Sequence, residues 1–123
     1  LGLLTRLTSA NIIASGTALA RCAQGLAETR SEARSAAEWL LDLGELFYRD
    51  VALRQLGTAD EQLSNADLIE QIDAETPISP FGIRAIVDTM EETKGLLRSN
   101  VDLEAALVDA CSRIALYRAQ RAA

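Results

Sequence analysis

The sequence predicts an all-α fold, a compact bundle of about five helices around one long central helix. Three observations predict it. The 123 residues are 49% hydrophobic but only 4% aromatic, so a core must be built from leucine, isoleucine, valine and alanine, with helix-favouring Ala and Leu dominant. Two prolines and seven glycines are too few for a turn-rich β fold. No stretch alternates apolar and polar residues long enough for a half-buried strand, whereas spacings of three and four recur.

Taken in order, Leu1, Leu4 and Leu7 share the face of a short helix, which Ser9-Ala10-Asn11 breaks. A second helix is expected from about Asn11 to Glu28, with Ile12, Ile13, Leu19, Cys22, Ala23 and Leu26 apolar and weakened by Gly16 and Gly25. The longest helical pattern runs from Ser31 to Gly57. Ala36, Leu40, Leu43, Phe47 and Val51 form one stripe; Trp39, Leu46 and Leu53 form a second at a seven-residue repeat, so the apolar face is wide enough for more than one neighbour. Ser31 is a candidate cap and Gly57 the natural stop. Between Thr58 and Thr76 there are six acids and no base, read as a solvated surface because they lack the spacing of a calcium loop. Within that run Asn65 is expected to cap a short helix, Ala66 to Ile72.

Ser79-Pro80 then marks a strong helix start, a cap followed by proline in the first turn. That helix is expected to reach about Ser99 and to bury Phe81, Ile83, Ile86, Val87, Met90, Leu96 and Leu97, with Gly95 as a weak point. Asn100 closes it and caps the last helix, Val101 to about Arg121, which would bury Leu103, Leu107, Val108, Cys111, Ile114 and Leu116. A helix, short turn and helix make an antiparallel hairpin.

The net charge of −6, with one lysine (Lys94) and scattered arginines, opposes direct nucleic-acid binding, which needs clustered bases. The arginines of the tail, Arg113, Arg118 and Arg121, read as complements to a helix dipole. No run of 18 apolar residues exists to span a membrane. The apolar start lacks a basic region followed by a cleavage site, so no signal peptide is read. Cys22 and Cys111 stand far apart with no CxxC spacing and read as buried, reduced thiols, giving a cytoplasmic expectation; a disulfide would require their helices to lie side by side. With no histidine there is neither a two-cysteine zinc site nor a His-based triad, and no phosphate loop or nucleophile elbow appears. No catalytic, cofactor or metal residue is therefore assigned.

What remains is interaction. Trp39 is more often core than interface anchor, although tryptophan is enriched among anchors. Arg49 and Asp50 read first as an exposed pair with local contacts such as Arg49 to Glu45, and alternatively as a hydrogen-bonding handle at a subunit interface. Asn100 reads first as a cap. Trp39, Phe47, Arg49, Asp50 and Asn100 are the interface candidates.

The helix ending in Tyr48-Arg49-Asp50-Val51-Ala52-Leu53, then Leu56-Gly57, a loop and Leu63-Ser64-Asn65-Ala66-Asp67-Leu68, resembles the C-terminal collar domain of the bacterial DNA polymerase III clamp-loader subunit delta prime. Glu91 to Lys94, Leu96-Leu97-Arg98 and Asn100-Val101-Asp102, followed by Leu103, Glu104 and Leu107, resemble that family's last helix pair. The resemblance covers about residues 35 to 116, and the gamma/tau subunit is its nearest alternative. It implies one helical assembly domain over residues 1–123, cut from a longer chain with an upstream ATPase-like region. It also implies gamma/tau and delta collar domains as partners and a role in loading the sliding clamp onto primed DNA. The four-cysteine zinc module of that family belongs to its ATPase region and has no counterpart here. A helical adaptor unrelated to replication and, more remotely, a small carboxylate-based enzyme are the alternatives.

Overall fold

The computed structural model describes residues 20, 21, 23, 24, 30–57, 59, 62, 63, 65–75, 77–99 and 101–119. Its elements are α1 (Arg30–Gln55), a 3-10 turn (Ala66–Leu68), α2 (Ile69–Glu75), α3 (Pro80–Leu97) and α4 (Leu103–Arg118). Among the described residues there are four α-helices and no β-strand, so the protein is all-α. The helix expected over residues 1–8 and most of the one over 11–28 lie outside the described residues. Ala20, Arg21, Ala23 and Gln24 are helical, and both alanines are buried in the common core.

α1 has 26 residues, about 39 Å at 1.5 Å per residue. It begins at Arg30, so Ser31 lies inside it rather than capping it. Gly57 ends it with φ +85°, a left-handed backbone that suits glycine. The deepest stripe of α1 is Ala33, Ala37, Leu41, Gly44, Tyr48 and Val51, with Phe47 beside it. That stripe is rotated from the expected one: Ala36, Leu40 and Leu43 are only half-buried, and Trp39 and Leu46 are exposed. Small residues let neighbours come close over the first half, so the larger apolar side chains there lie at the margin. Further along, Phe47 and Tyr48 meet edge-on at 5.3 Å between ring centres.

Among the described elements α1, the longest, packs against α3 and α2, and α3 packs against α1 and α4. The buried residues of α3, Gly82, Ile83, Ile86, Thr89, Met90, Thr93, Lys94 and Leu97, recur at spacings of three and four and form one broad face. The two buried threonines satisfy their hydroxyls within the helix, Thr89 Oγ1 donating to Ala85 O at 2.7 Å and Thr93 Oγ1 to Thr89 O at 2.7 Å. Ser79 caps α3 as expected, accepting from Gly82 N at 2.9 Å with Pro80 in the first turn. Gly82 sits at a close approach: a Cβ there would stand 3.0 Å from Tyr117 O, 3.1 Å from Ser79 Oγ and 3.2 Å from Ile78 Cγ2.

The α3–α4 hairpin is as expected, with different punctuation. α3 ends at Leu97, and Asp102 caps α4 by accepting from Ala105 N at 2.9 Å. Asn100, the expected cap, lies outside the described residues. Phe81, Leu96 and Leu116, expected to be buried, are exposed.

Polar side chains fasten the elements to one another. Arg34 of α1 donates to Leu97 O at 3.0 Å, to Ser99 O at 3.3 Å and to Val101 O. Its guanidinium thus closes the C-terminal end of α3 from another helix. Gln55 pairs both ways with Ile78, Nε2 donating to Ile78 O at 3.0 Å and Oε1 accepting from Ile78 N at 2.8 Å. Glu75, fully buried at the end of α2, accepts from Arg118 Nε at 2.9 Å and Nη2 at 2.7 Å, so the short helix is bound to the end of α4. Arg54 pairs with Asp73 at 2.9 Å. The acidic run is therefore not all solvated surface, and Arg118 is an internal partner rather than a dipole complement. Arg113 likewise pairs with Glu92 across the hairpin at 2.6 Å. Arg121 lies outside the described residues.

Candidate interaction surfaces

The exposed face of α1 carries Trp39, 56% exposed, and Leu46, one heptad further on. Beside Leu46 is a groove of about 440 Å³ lined by Asp42, Glu45, Leu46 and Arg49 of α1 and Val87 of α3. Beneath its rim lies Lys94, a charged residue that is nearly buried. Lys94 Nζ stands 2.6 Å from Asp42 Oδ1, 2.8 Å from Glu91 Oε1 and 3.2 Å from Glu45 Oε1. One ammonium thus joins α3 to α1 through two carboxylates of α1, with Glu91 of α3 as its third partner.

The electrostatics of the cluster divide its members. Burial, and then the neighbouring Glu91 carboxyl, push Glu45 up to about 7 against the pull of Lys94. The hydrogen bonds from Lys94 and Glu45 hold Glu91 below the ordinary range. Burial disfavours the charge on Lys94, but its three carboxylate partners outweigh that and raise its pKa. Lys94 therefore stays a cation held in place, a structural clasp rather than a free amine nucleophile.

A second surface lies where the end of α1 meets the start of α3. A groove of about 690 Å³ is lined by Ala52, Leu56, Pro77, Pro80 and Ile83, with Arg54, Gln55, Asp73 and Arg84 at its polar edge. Leu56, at 82% exposed, and Phe81, at 72%, add apolar area at this end of the bundle.

The interface candidates separate cleanly. Trp39 and Arg49 are on the surface, Trp39 contrary to the expectation that it is more often core. Phe47 is fully enclosed by the chain's own core, so its contacts are internal. Asp50 is also fully buried rather than half of an exposed pair: its Oδ2 accepts from Asn65 N at 2.6 Å and Asn65 Nδ2 at 2.9 Å, and Arg49 Nη1 lies 3.7 Å from Oδ1. Asn65 accordingly does not cap the 3-10 turn with its side chain. Asp50 anchors the chain returning from α1, and the polar handle is turned inward. Lys94, Arg34 and the Glu75–Arg118 pair were missed as organising residues. The isolation of a single lysine amid acids was the available signal for the first.

Cys111 is buried, and burial raises its thiol to about 11, which keeps it protonated and unreactive near neutrality. Cys22, its possible disulfide partner, lies outside the described residues. Among the described residues no helix is long and apolar enough to cross a membrane, and no group of three His, Cys, Asp or Glu is placed to hold a metal ion. Comparison with protein-family models, with curated proteins and with solved structures gave no match.

Proposed function

We propose that this chain is a subunit-assembly domain of the clamp-loader collar kind, resembling delta prime. It packs against gamma/tau and delta collar domains in the cytoplasmic complex that loads the sliding clamp onto primed DNA. The observation that carries an assembly role is the placement of exposed apolar side chains at two separate sites, Trp39 and Leu46 on α1 and Leu56 and Phe81 at the bundle end. A domain held between two neighbours needs two such surfaces. The resemblance draws further support from Asp50 and Asn65, two of its polar markers on either side of a loop, which meet at 2.6 and 2.9 Å. In this reading the contribution is mechanical: burial of helix faces gives affinity and surface charge selects the partner.

The test is sedimentation of this chain mixed with the gamma/tau and delta collar domains of the same organism. A mixed complex lost on Trp39→Glu or Phe81→Glu supports the collar reading. No association at about 50 µM, far above the range of stable assemblies, refutes it. The groove at the bundle end specifically favours a second reading, a helical adaptor with one docking site. In that case Phe81→Glu would abolish partner capture and Trp39→Glu would not.

A further inference from the structure

The carboxylates around Lys94 ask for more donors than one ammonium holds. An ammonium has three hydrogens to give. Nζ directs them to Asp42 Oδ1 at 2.6 Å, to Glu91 Oε1 at 2.8 Å and to Glu45 Oε2 at 3.3 Å. Glu45 Oε1 is buried and, although 3.2 Å from Nζ, takes no hydrogen bond among the described residues. A buried carboxylate oxygen left without a donor is costly. The same oxygen carrying a proton is itself a donor, and Glu91 lies within hydrogen-bonding reach of Glu45 as its acceptor.

Charge leads to the same place as donor counting. Three carboxylates face one ammonium, and a proton on one of them reduces the excess of like charge. Burial selects which one. The side chains of Asp42 and Glu91 are more than half exposed, whereas that of Glu45 is 19% exposed. The upward shift of Glu45 and the downward shift of Glu91 agree with that division.

Once the proton leaves, Glu45 is a charged group beside Glu91, drawing on an ammonium that Asp42 and Glu91 already engage. Arg49 offers a second position. It lies four residues on, in the favourable order of acid before base, is exposed, and lines the same groove as Glu45. The other charged groups nearby are held elsewhere. Asp50, 3.7 Å from Arg49, accepts from Asn65 through its other oxygen. On α3, Arg98 acts on Glu91 but pairs with Glu38 at 2.9 Å. On α2, Asp73 and Glu75 are engaged by Arg54 and Arg118. Arg49 is thus the cation that shares both helix and groove with Glu45.

We propose that the seam between α1 and α3 is a proton-operated latch: Glu45 carries a proton that it donates to Glu91 across the two helices, and on losing it the Glu45 carboxylate swings along α1 to pair with Arg49. The swing leaves Asp42 as the α1 side of the Lys94 clasp and sets an ion pair across the groove beside Leu46. The apolar core is untouched, so the domain switches without unfolding. The latch does not depend on what the chain assembles with.

Carbon-13 NMR of the glutamate side-chain carboxyls, followed on the full chain from about pH 4 to about pH 9, tests it. Loss of a signal in Glu45→Gln identifies Glu45. That carboxyl should titrate with a midpoint near 7, and the Hε resonance of Arg49 should shift with the same midpoint. Glu91→Gln, at an exposed position, should lower the Glu45 midpoint by about one pH unit, because a like charge is removed and Lys94 remains. Arg49→Gln should raise it by about 0.3 unit, the size of an i,i+4 pair. Circular dichroism should stay constant over the same range. A Glu45 midpoint below about 5.5, a midpoint unmoved in Glu91→Gln, or an Arg49 resonance that does not follow Glu45 overturns the latch. Loss of helical signal along with the proton overturns it as well, because the domain is then unfolding rather than switching.

Discussion

Glu75 and Arg118 make the sharpest stability prediction. Glu75 closes the seven-residue α2, too short to persist alone, and its carboxylate takes two hydrogen bonds from a guanidinium that is itself only 15% exposed. Arg118→Met removes both bonds from a carboxylate that is in the interior. A charge-assisted bond contributes about 1.5–3 kcal/mol, and breaking a buried pair from one side costs about 3–5 kcal/mol. We expect about 3 kcal/mol for Arg118→Met, from a total that is on the order of 6–18 kcal/mol for a chain of this length. Glu75→Leu alone should cost a similar amount because it takes the carboxylate from a largely buried guanidinium. The double variant removes both charges, so its cost should be well below the sum, with a coupling of at least about 1 kcal/mol. Urea unfolding followed by circular dichroism measures all four proteins, and the midpoint should fall without a change in slope. Single variants within about 0.5 kcal/mol of the parent, or a double variant equal to the sum, would refute the view that this pair fixes α2 to α4.

Further predictions concern the other fastenings. Arg34→Ala should cost about 1–3 kcal/mol, and Arg34→Lys should recover little because a single ammonium replaces the two guanidinium nitrogens that share the three carbonyls; hydrogen exchange in the turn after α3 should quicken in both. Gly82→Ala should cost about 1–3 kcal/mol through overpacking, whereas Gly95→Ala, where an added Cβ meets nothing within 4 Å, should stabilise by about 0.5–1 kcal/mol; urea titration distinguishes the two signs. The Lys94 cluster makes stability depend on pH. Glu45 titrates near 7 when folded, against 4.5 ordinarily, so between these values the folded state holds a proton that the unfolded chain has released. Its contribution is therefore complete below 4.5 and is lost as pH rises through 7. Glu91 is shifted down and Lys94 up, so their contributions change below 4.5 and above 10.5, outside that window. Stability compared at about pH 5.5 and about pH 8 should fall toward the higher pH, and Glu45→Gln should flatten that difference; an unchanged slope in the variant would sink the assignment.

The parts of the fold legible in the sequence are those that one helix decides for itself. The Ser79-Pro80 start, the Gly57 stop and the periodicity of α1, α3 and α4 need no knowledge of a neighbour. What was misread depends on who the neighbour is. The stripe of α1 is rotated onto Ala33, Ala37 and Gly44, small residues that are buried where larger apolar ones are not, and which face is buried depends on the packing partner as well as on hydrophobicity. Phe81, Leu96 and Leu116 fit a helical period yet are exposed, with no second element among the described residues covering them. The polar errors share that origin. Arg34, Asp50, Glu75 and Lys94 all act across separations of 15 residues or more, and nothing in their local sequence points to the distant partner. Of the interaction surfaces, the heptad repeat of Trp39 and Leu46 was visible in the sequence, but the groove between Asp42 and Arg49 required Val87 from another helix to complete it.

The reach of Arg34 bears on the order in which the chain becomes organised. α3 and α4 are joined by a short turn and can find one another early, as local contacts form fastest. Yet the carbonyls of that turn receive their donor from a residue 63 to 67 positions upstream. Until α1 docks, those oxygens must be hydrated, and the hairpin is a loose product. Docking of α1 then displaces that water and locks the turn in one step, coupling the first half of the described chain to the last. A peptide starting at Pro77 should accordingly be helical but frayed at residues 97–101, and should tighten when a peptide covering α1 is added.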